Sequence, residues 1–256
     1  MNNKVFGRYA DYYNLLYKDK DYAGEAQYIH DLIQKHCLGA KTILNLGCGT
    51  GNHDFELACL GYDITGVDMS QKMLDVANSR LTSANSMNIQ PSFCKGDIRN
   101  VRLGKTFDVV ISLFHVMSYQ ITNDDLMAAI STAKEHLSLD GLLVFDCWYG
   151  PGVLTDLPAV RVKRLEDEQI RFVRIAEPVI HPNENVVDVN YQILITDKLT
   201  GSVEQLQETH RMRYLFVPEL EFLLKDVGLN IVSVAEWMTD KTPDIGSWGA
   251  CFVVKR

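Results

Sequence analysis

The residues best suited to chemistry begin where Ile43-Leu44-Asn45-Leu46 runs directly into Gly47-Cys48-Gly49-Thr50-Gly51. Bare glycine backbone after a strand lets a ligand approach where any Cβ would collide. The helix that follows turns free N–H groups and a positive end toward that ligand. A tight strand–helix turn without a ligand uses the same residues, so partners elsewhere must decide. The turn lacks the G-x-G-x-x-G spacing of dinucleotide sites. Asp68 closes the next apolar run, 21 positions after Gly47, where a carboxylate can accept both hydroxyls of a ribose. Asp97 and Ile98 follow the third run, offering a carboxylate and an N–H to an adenine edge; a helix N-cap is the plain alternative for Asp97. Phe107-Asp108-Val109-Val110 opens a fourth run whose far end faces the same crevice. Carboxyl ends of consecutive parallel strands are where open α/β sheets bind ligands.

These groups need a scaffold, and the chain supplies one. Its 256 residues, at about 150 per domain, make one large domain or one with an elaborated lobe. At 46% apolar and 23% charged it is ordinary globular material. Net charge is −8, from 25 basic and 33 acidic residues, which argues against a nucleic-acid or anionic-membrane binder. Apolar runs such as Leu142-Leu143-Val144-Phe145 fall far short of the ~20 residues a membrane span needs. The mixed-charge opening lacks a signal core. The six cysteines (Cys37, Cys48, Cys59, Cys94, Cys147, Cys251) form no CxxC pair, so reduced thiols, no metal site and a cytoplasmic location are expected.

Strand and helix patterns alternate up to a fifth strand at Gly141–Phe145, as in a mostly parallel sheet covered by helices. After Gly150-Pro151-Gly152 the pattern becomes two-residue alternation, as in Val186-Val187-Asp188-Val189-Asn190-Tyr191, which predicts antiparallel hairpins. Pro218 to Val227 reads as a helix ended by Gly228, followed by a last strand pair.

On Leu46-Gly47-Cys48-Gly49-Thr50-Gly51, Asp68 and Asp97-Ile98, roughly residues 40–147 resemble the class I S-adenosylmethionine-dependent methyltransferases. The resemblance implies a Rossmann-like α/β sheet covered by helices, with an inserted antiparallel β lobe after the fifth strand. It implies S-adenosyl-L-methionine as cofactor and S-adenosyl-L-homocysteine as product. The implied cofactor contacts are Tyr22, Gly47, Cys48, Gly49, Asp68, Met69, Asp97, Ile98 and Leu113. Residues 1–37 then form an N-terminal lid and first helix, 38–149 the cofactor-binding core, 150–213 an acceptor lobe, and 214–256 the helix and strands that complete the core. One departure is Asn45, where the family usually carries an acid, which leaves the methionine ammonium without that charge.

The flanks narrow the likeness. Tyr9-Ala10-Asp11-Tyr12-Tyr13-Asn14-Leu15-Leu16-Tyr17, Ser112-Leu113-Phe114 and Cys147-Trp148-Tyr149 are similar to sugar N,N-dimethyltransferases of the desosamine and mycaminose type. That implies a small-molecule acceptor, an amine on a nucleotide-linked sugar, and often a homodimer. Methyl transfer from a sulfonium mainly requires alignment of an unprotonated nucleophile, worth roughly 7–11 kcal/mol. His115 and Tyr119, just past the fourth strand, and Tyr13, from the lid, are the candidate catalytic residues. An aromatic face such as that of Tyr13 also suits a sulfonium. His30, His36, His53, His136, His181 and His210 read as solvated or packed rings with no partner in view. Arg161, Lys163, Arg164, Arg171 and Arg174 cluster where a pyrophosphate would want Arg forks, or make a hairpin face salted by Glu166, Asp167 and Glu168. Trp148 fits an acceptor wall or core packing. Two rivals stay open: methylation of a hydroxyl or free amino acid, with His115 as base, and a non-catalytic module that only binds cofactor.

Overall fold

The computed structural model describes residues 13, 15–83 and 90–256; Tyr9, Ala10, Asp11, Tyr12 and Asn14, named in the sequence reading, lie outside them. Helix α1 (Tyr22–His36) begins at an Asp21 N-cap that accepts from Gly24 N. It is followed by β1 (Thr42–Leu46), α2 (Asn52–Cys59), β2 (Asp63–Asp68), α3 (Gln71–Ser83), β3 (Ser92–Lys95) and β4 (Phe107–Ser112). A 3₁₀ turn (Val116–Tyr119) and α4 (Asn123–His136) lead to a long β5 (Leu137–Tyr149) and a short α5 (Gly150–Thr155). Four antiparallel strands come next: β6 (Arg161–Glu166), β7 (Ile170–His181), β8 (Val186–Asp197) and β9 (Val203–Leu215). The chain closes with α6 (Val217–Asp226), β10 (Asn230–Glu236) and β11 (Gly249–Lys255).

The core sheet runs β3-β2-β1-β4-β5, all parallel, and continues through the antiparallel β11 and β10. Strand alternation sorts its side chains into two layers. Leu44, Leu46, Val110, Leu143 and Phe145 pack on α4 and α6. Ile43, Val109, Ile111, Leu142 and Val144 pack on α1 and α2. Asn45 and Asp146 therefore project toward the α1–α2 side, and both are buried. Asp108 pins the other end of the sheet, accepting from Lys41 N at 2.9 Å and Thr42 N at 3.0 Å.

Strand β5 begins at Leu137, earlier than the expected Gly141. A bulge absorbs the polar Ser138-Leu139-Asp140, because Phe107 pairs with Leu137 but Val109 with Leu142. At its far end β5 changes partner. It pairs with β4 up to Phe145 and then with β9 through Trp148–Tyr214 and Tyr149–Leu215, while β11 holds its other edge. The antiparallel lobe is thus joined to the carboxyl end of the core sheet, beside the glycine turn. Leu16 is 1% exposed and packs with Met73 of α3 and Phe172, Ile193 and Ile195 of the lobe, tying the N-terminal segment to both.

Candidate active site

The turn after β1 folds back on β2: Gly47 N and Cys48 N both donate to Val67 O, at 2.8 and 3.0 Å. Gly47, Gly49 and Gly51 have φ of 89°, 57° and 74°, the left-handed region that favours glycine. A Cβ on Gly47 would lie 2.6 Å from Val116, and one on Gly51 would lie 2.6 Å from the Phe93 ring. At Gly49 a Cβ would meet nothing within 4 Å, so this stretch of backbone faces open space.

Asp68 bounds that space. Its Oδ2 accepts from Gly49 N at 2.9 Å and its Oδ1 from Ser70 N at 2.8 Å. Each oxygen keeps a lone pair for a further donor. Burial pushes the Asp68 carboxyl above the usual carboxylate range, against the pull of the backbone N–H groups. Two ligand hydroxyls would relieve that burial. Across the crevice Arg99 holds Asp97 in a fork, with Nε at 2.9 Å from Oδ1 and Nη2 at 2.5 Å from Oδ2, while its Nη1 reaches Asp125 at 2.6 Å. These bonds hold the Asp97 carboxyl below its ordinary range despite burial. An N-cap is not its role here.

Asn45 does not face the crevice. Its Nδ2 donates to Asp54 Oδ2 at 2.8 Å, inside the α1–α2 layer. Position 45 thus does not line the cavity, and its side chain is spent on Asp54. Burial raises the Asp54 carboxyl to about 7, and neither Asn45 Oδ1 nor Asp54 Oδ1 has a hydrogen-bond partner.

Beyond β4, Phe114 and His115 both take positive φ, at 65° and 63°. His115 N lies 3.1 Å from Asp146 Oδ2, and His115 Nδ1 lies 2.7 Å from the same oxygen. The His115 backbone N–H donates to this fully buried carboxylate, while the ring Nδ1 lies close to it without hydrogen-bond geometry. One 3₁₀ turn on, Tyr119 Oη lies 2.7 Å from His210 Nδ1, and His210 Nε2 lies 3.2 Å from Glu208 Oε2. Trp148 stands edge-on to His115, with ring centroids 6.4 Å apart. From the segment before α1, Tyr13 and Tyr17 are in ring contact at 4.8 Å, and Tyr17 meets Phe114 at 5.0 Å. Tyr22 packs on His53, whose Nε2 lies 2.6 Å from Glu25 Oε2; Lys20 binds the other oxygen of Glu25.

One cavity of about 740 Å³ collects these groups. Tyr13, Tyr22, Gly47, Cys48, Gly49, Asp68, Met69, Asp97, Ile98, Leu113, His115 and Tyr119 all line it. Trp148, Val189, Tyr191, His210 and Met212 close its other end, mostly from the lobe.

Sequence reading missed several of these residues. His53 and His210 are not idle rings, and Asp146 went unremarked, although a lone acid inside Leu142-Leu143-Val144-Phe145-Asp146-Cys147 is a signal. His30 meets Tyr62, His136 meets Thr132 and Leu103, and His181 meets Asp188, so these too have partners. The basic cluster is divided by the pleat. Lys163 pairs across from Arg174 on the face that carries Phe172, whereas Arg171 is exposed beside Glu166 on the other face.

Residues 43–141 match the family model described as a methyltransferase domain. The chain is 29% identical over 226 residues to the dTDP-3-amino-3,4,6-trideoxy-alpha-D-glucopyranose N,N-dimethyltransferase of Streptomyces venezuelae, covering 87% of this chain and 90% of that protein. It is 26% identical to the dTDP-3-amino-3,6-dideoxy-alpha-D-glucopyranose N,N-dimethyltransferase of Streptomyces fradiae, over 88% of this chain and 85% of that one. The crystal structure of Streptomyces venezuelae DesVI superposes with a TM-score of 0.79 at 26% identity, covering 96% and 98% of the two chains. With that fold and those relatives, the chain is a class I S-adenosylmethionine-dependent methyltransferase, and S-adenosylmethionine is its cofactor.

Proposed function

We propose that the enzyme methylates the amine of a small molecule, an aminosugar attached to a nucleotide. The observation that carries this reading is the single cavity that runs from Asp68 and Asp97 to the Tyr119–Trp148–Met212 wall of the lobe. Its size is in the range of sites that enclose a small ligand. The two N,N-dimethyltransferases above, similar along nearly their whole length, support an aminosugar as acceptor.

When bound, S-adenosylmethionine supplies a methyl group activated on a sulfonium. The chain's own residues bind, orient and shield. In this reading Asp68 accepts the ribose hydroxyls, while Asp97 and the Ile98 N–H take the adenine edge. Gly47, Cys48 and Gly49 give the bare backbone approach, and Tyr22, Met69 and Leu113 wall the cofactor. Tyr13 brings an aromatic face to the sulfonium and helps exclude water. Tyr119 and His115 shape the space where the acceptor nitrogen must align.

The test is incubation with isotopically labelled cofactor and a panel of nucleotide-linked aminosugars, with products read by mass spectrometry. Label is expected on the sugar nitrogen; label on oxygen, or none across the panel despite cofactor binding, would overturn the reading.

The His115–Asp146 pair favours a second reading, a hydroxyl acceptor. With Nδ1 close to a buried carboxylate, the imidazole has Nε2 left to accept a proton. In that case His115→Ala loses activity that high pH restores. Insensitivity to the substitution favours the amine.

A further inference from the structure

Phe114 and His115 both sit in the left-handed region, at φ 65° and 63°, which bulky side chains avoid. Such a pair persists only where its surroundings hold it, and strain of this kind gathers at functional sites. What holds it lies at a gap in the pairing of β5. On the edge that β5 shares with β4 and β9, pairing stops at Phe145 and resumes at Trp148. The 3₁₀ turn packs on β5 and β9 there. Two positions of β5 then tie it down. The Asp146 carboxylate accepts from the His115 N–H, with the nitrogen 3.1 Å from Oδ2 and 3.2 Å from Oδ1. Trp148 N–H donates to Ser118 Oγ at 3.0 Å, and Ser118 N–H donates to His115 O at 3.0 Å, closing the turn.

The turn carries much of the cavity wall, since Phe114, His115, Val116 and Tyr119 all line it. Phe114 takes the Tyr17 ring at 5.0 Å and has Lys20 Nζ 4.5 Å from its centroid, so the segment before α1 seats on it. Val116 lies against Gly47, where a Cβ would come within 2.6 Å of it. A shift of this turn therefore moves the His115 end of the cavity relative to the glycine turn. Asp146 is fully buried, and His115 is its one ion-pair contact among the described residues. Cys147 is its neighbour in sequence, Cys251 faces it from β11, and Tyr28 approaches from α1. Burial, with Asp146 adding, pushes these two thiols and the phenol up, which keeps them neutral. A buried acid with so little compensation is weak support for stability, yet a firm acceptor for one backbone N–H.

We propose that Asp146 is a positioning residue for methyl transfer: it holds the strained Phe114–His115 turn through the His115 backbone N–H, and so fixes where the acceptor wall stands. The imidazole is not the handle, because His115 Nδ1 lies 2.7 Å from Oδ2 without hydrogen-bond geometry. The role therefore differs from that of an acid that tunes a base. It rests on the reading of the His115–Trp148 end of the cavity as the acceptor site, and it is the same for a nitrogen or an oxygen acceptor.

Two measurements on the intact protein test this. The first is hydrogen exchange read by mass spectrometry, without acceptor. The peptide covering 113–119 should exchange about tenfold faster in Asp146→Val, while Asp146→Asn, whose amide oxygen can accept the same N–H, restores protection. A segment equally protected in Asp146→Val would overturn the proposal. The second is turnover of a nucleotide-linked aminosugar. Asp146→Val should lower kcat by about 10²-fold, with cofactor affinity by calorimetry held within about threefold, and Asp146→Asn should recover most of the loss. In a His115→Ala background Asp146→Val should still cost about tenfold, because the N–H it holds is still there. An Asn variant as poor as the Val variant, or a loss that vanishes once the imidazole is gone, would assign Asp146 to the ring and overturn the proposal. Should Asp146→Val not fold, Asp146→Asn decides: it must keep the segment protected and outperform His115→Ala. A wild type that turns over no aminosugar would sink the amine reading, and the exchange comparison would still decide what Asp146 holds.

Discussion

Asp68, partly buried, and Asp54, fully buried, are both acids near the glycine turn, yet they do opposite things. Asp68 is pre-set by two backbone donors and aimed at open space. Asp68→Ala should therefore weaken cofactor binding by about 1–3 kcal/mol, the cost of leaving partners unpaired, as read by titration calorimetry. Asp54 faces inward and shapes stability instead. Its folded value near 7 lies above that of an exposed carboxylate. Between about pH 4 and pH 7 the folded protein holds a proton that the unfolded chain has lost. Stability from this group thus falls as pH rises through that window and levels off above it. Melting curves of wild type against Asp54→Asn should show the difference moving in favour of wild type as pH drops from 7 to 5.

The elements that present the site depend on close approaches at a few glycines. Gly152, in the first turn of α5, lies against the loop before β11, and a Cβ there would lie 1.9 Å from the backbone oxygen of Ser247. Backbone cannot yield as a side-chain tip can, so Gly152→Ala should cost about 1–3 kcal/mol, measured by urea denaturation. This is also the scale at which the sequence is most legible. The strands, the helices over the core, the glycine turn and the β insertion all announce themselves through local periodicity. The bulge before Leu142 does not, because the strand pattern starts only at Gly141 and the pairing of Leu137 with Phe107 of β4 is what shows the earlier residues to be strand. Contacts across the fold are the least legible. Tyr119 and His210 are 91 positions apart, and His115 and Asp146 are 31 apart, so no spacing rule brings them together.

At the scale of the whole molecule, the cavity lies between the core sheet, the N-terminal segment and the lobe, so filling it should stiffen all three. With cofactor at 100 times its dissociation constant, mass action adds about 2.7 kcal/mol of stability. For a chain of this size that should raise the melting temperature by about 5–10 °C, and Asp68→Ala should lose about a third to nine-tenths of the shift at the same ligand concentration. No described helix is long and apolar enough to cross a membrane.

The handover along β5, from β4 to β9 at Trp148 and Tyr149, has a practical corollary. The glycine turn and the β6–β9 lobe meet at the same carboxyl end of the core sheet, and on that edge two rungs join the lobe to β5. Exchanging β6–β9 for the corresponding strands of a relative should therefore change which acceptor is taken while the grip on the methyl donor carries over, so that selectivity and donor affinity behave as separately graftable traits.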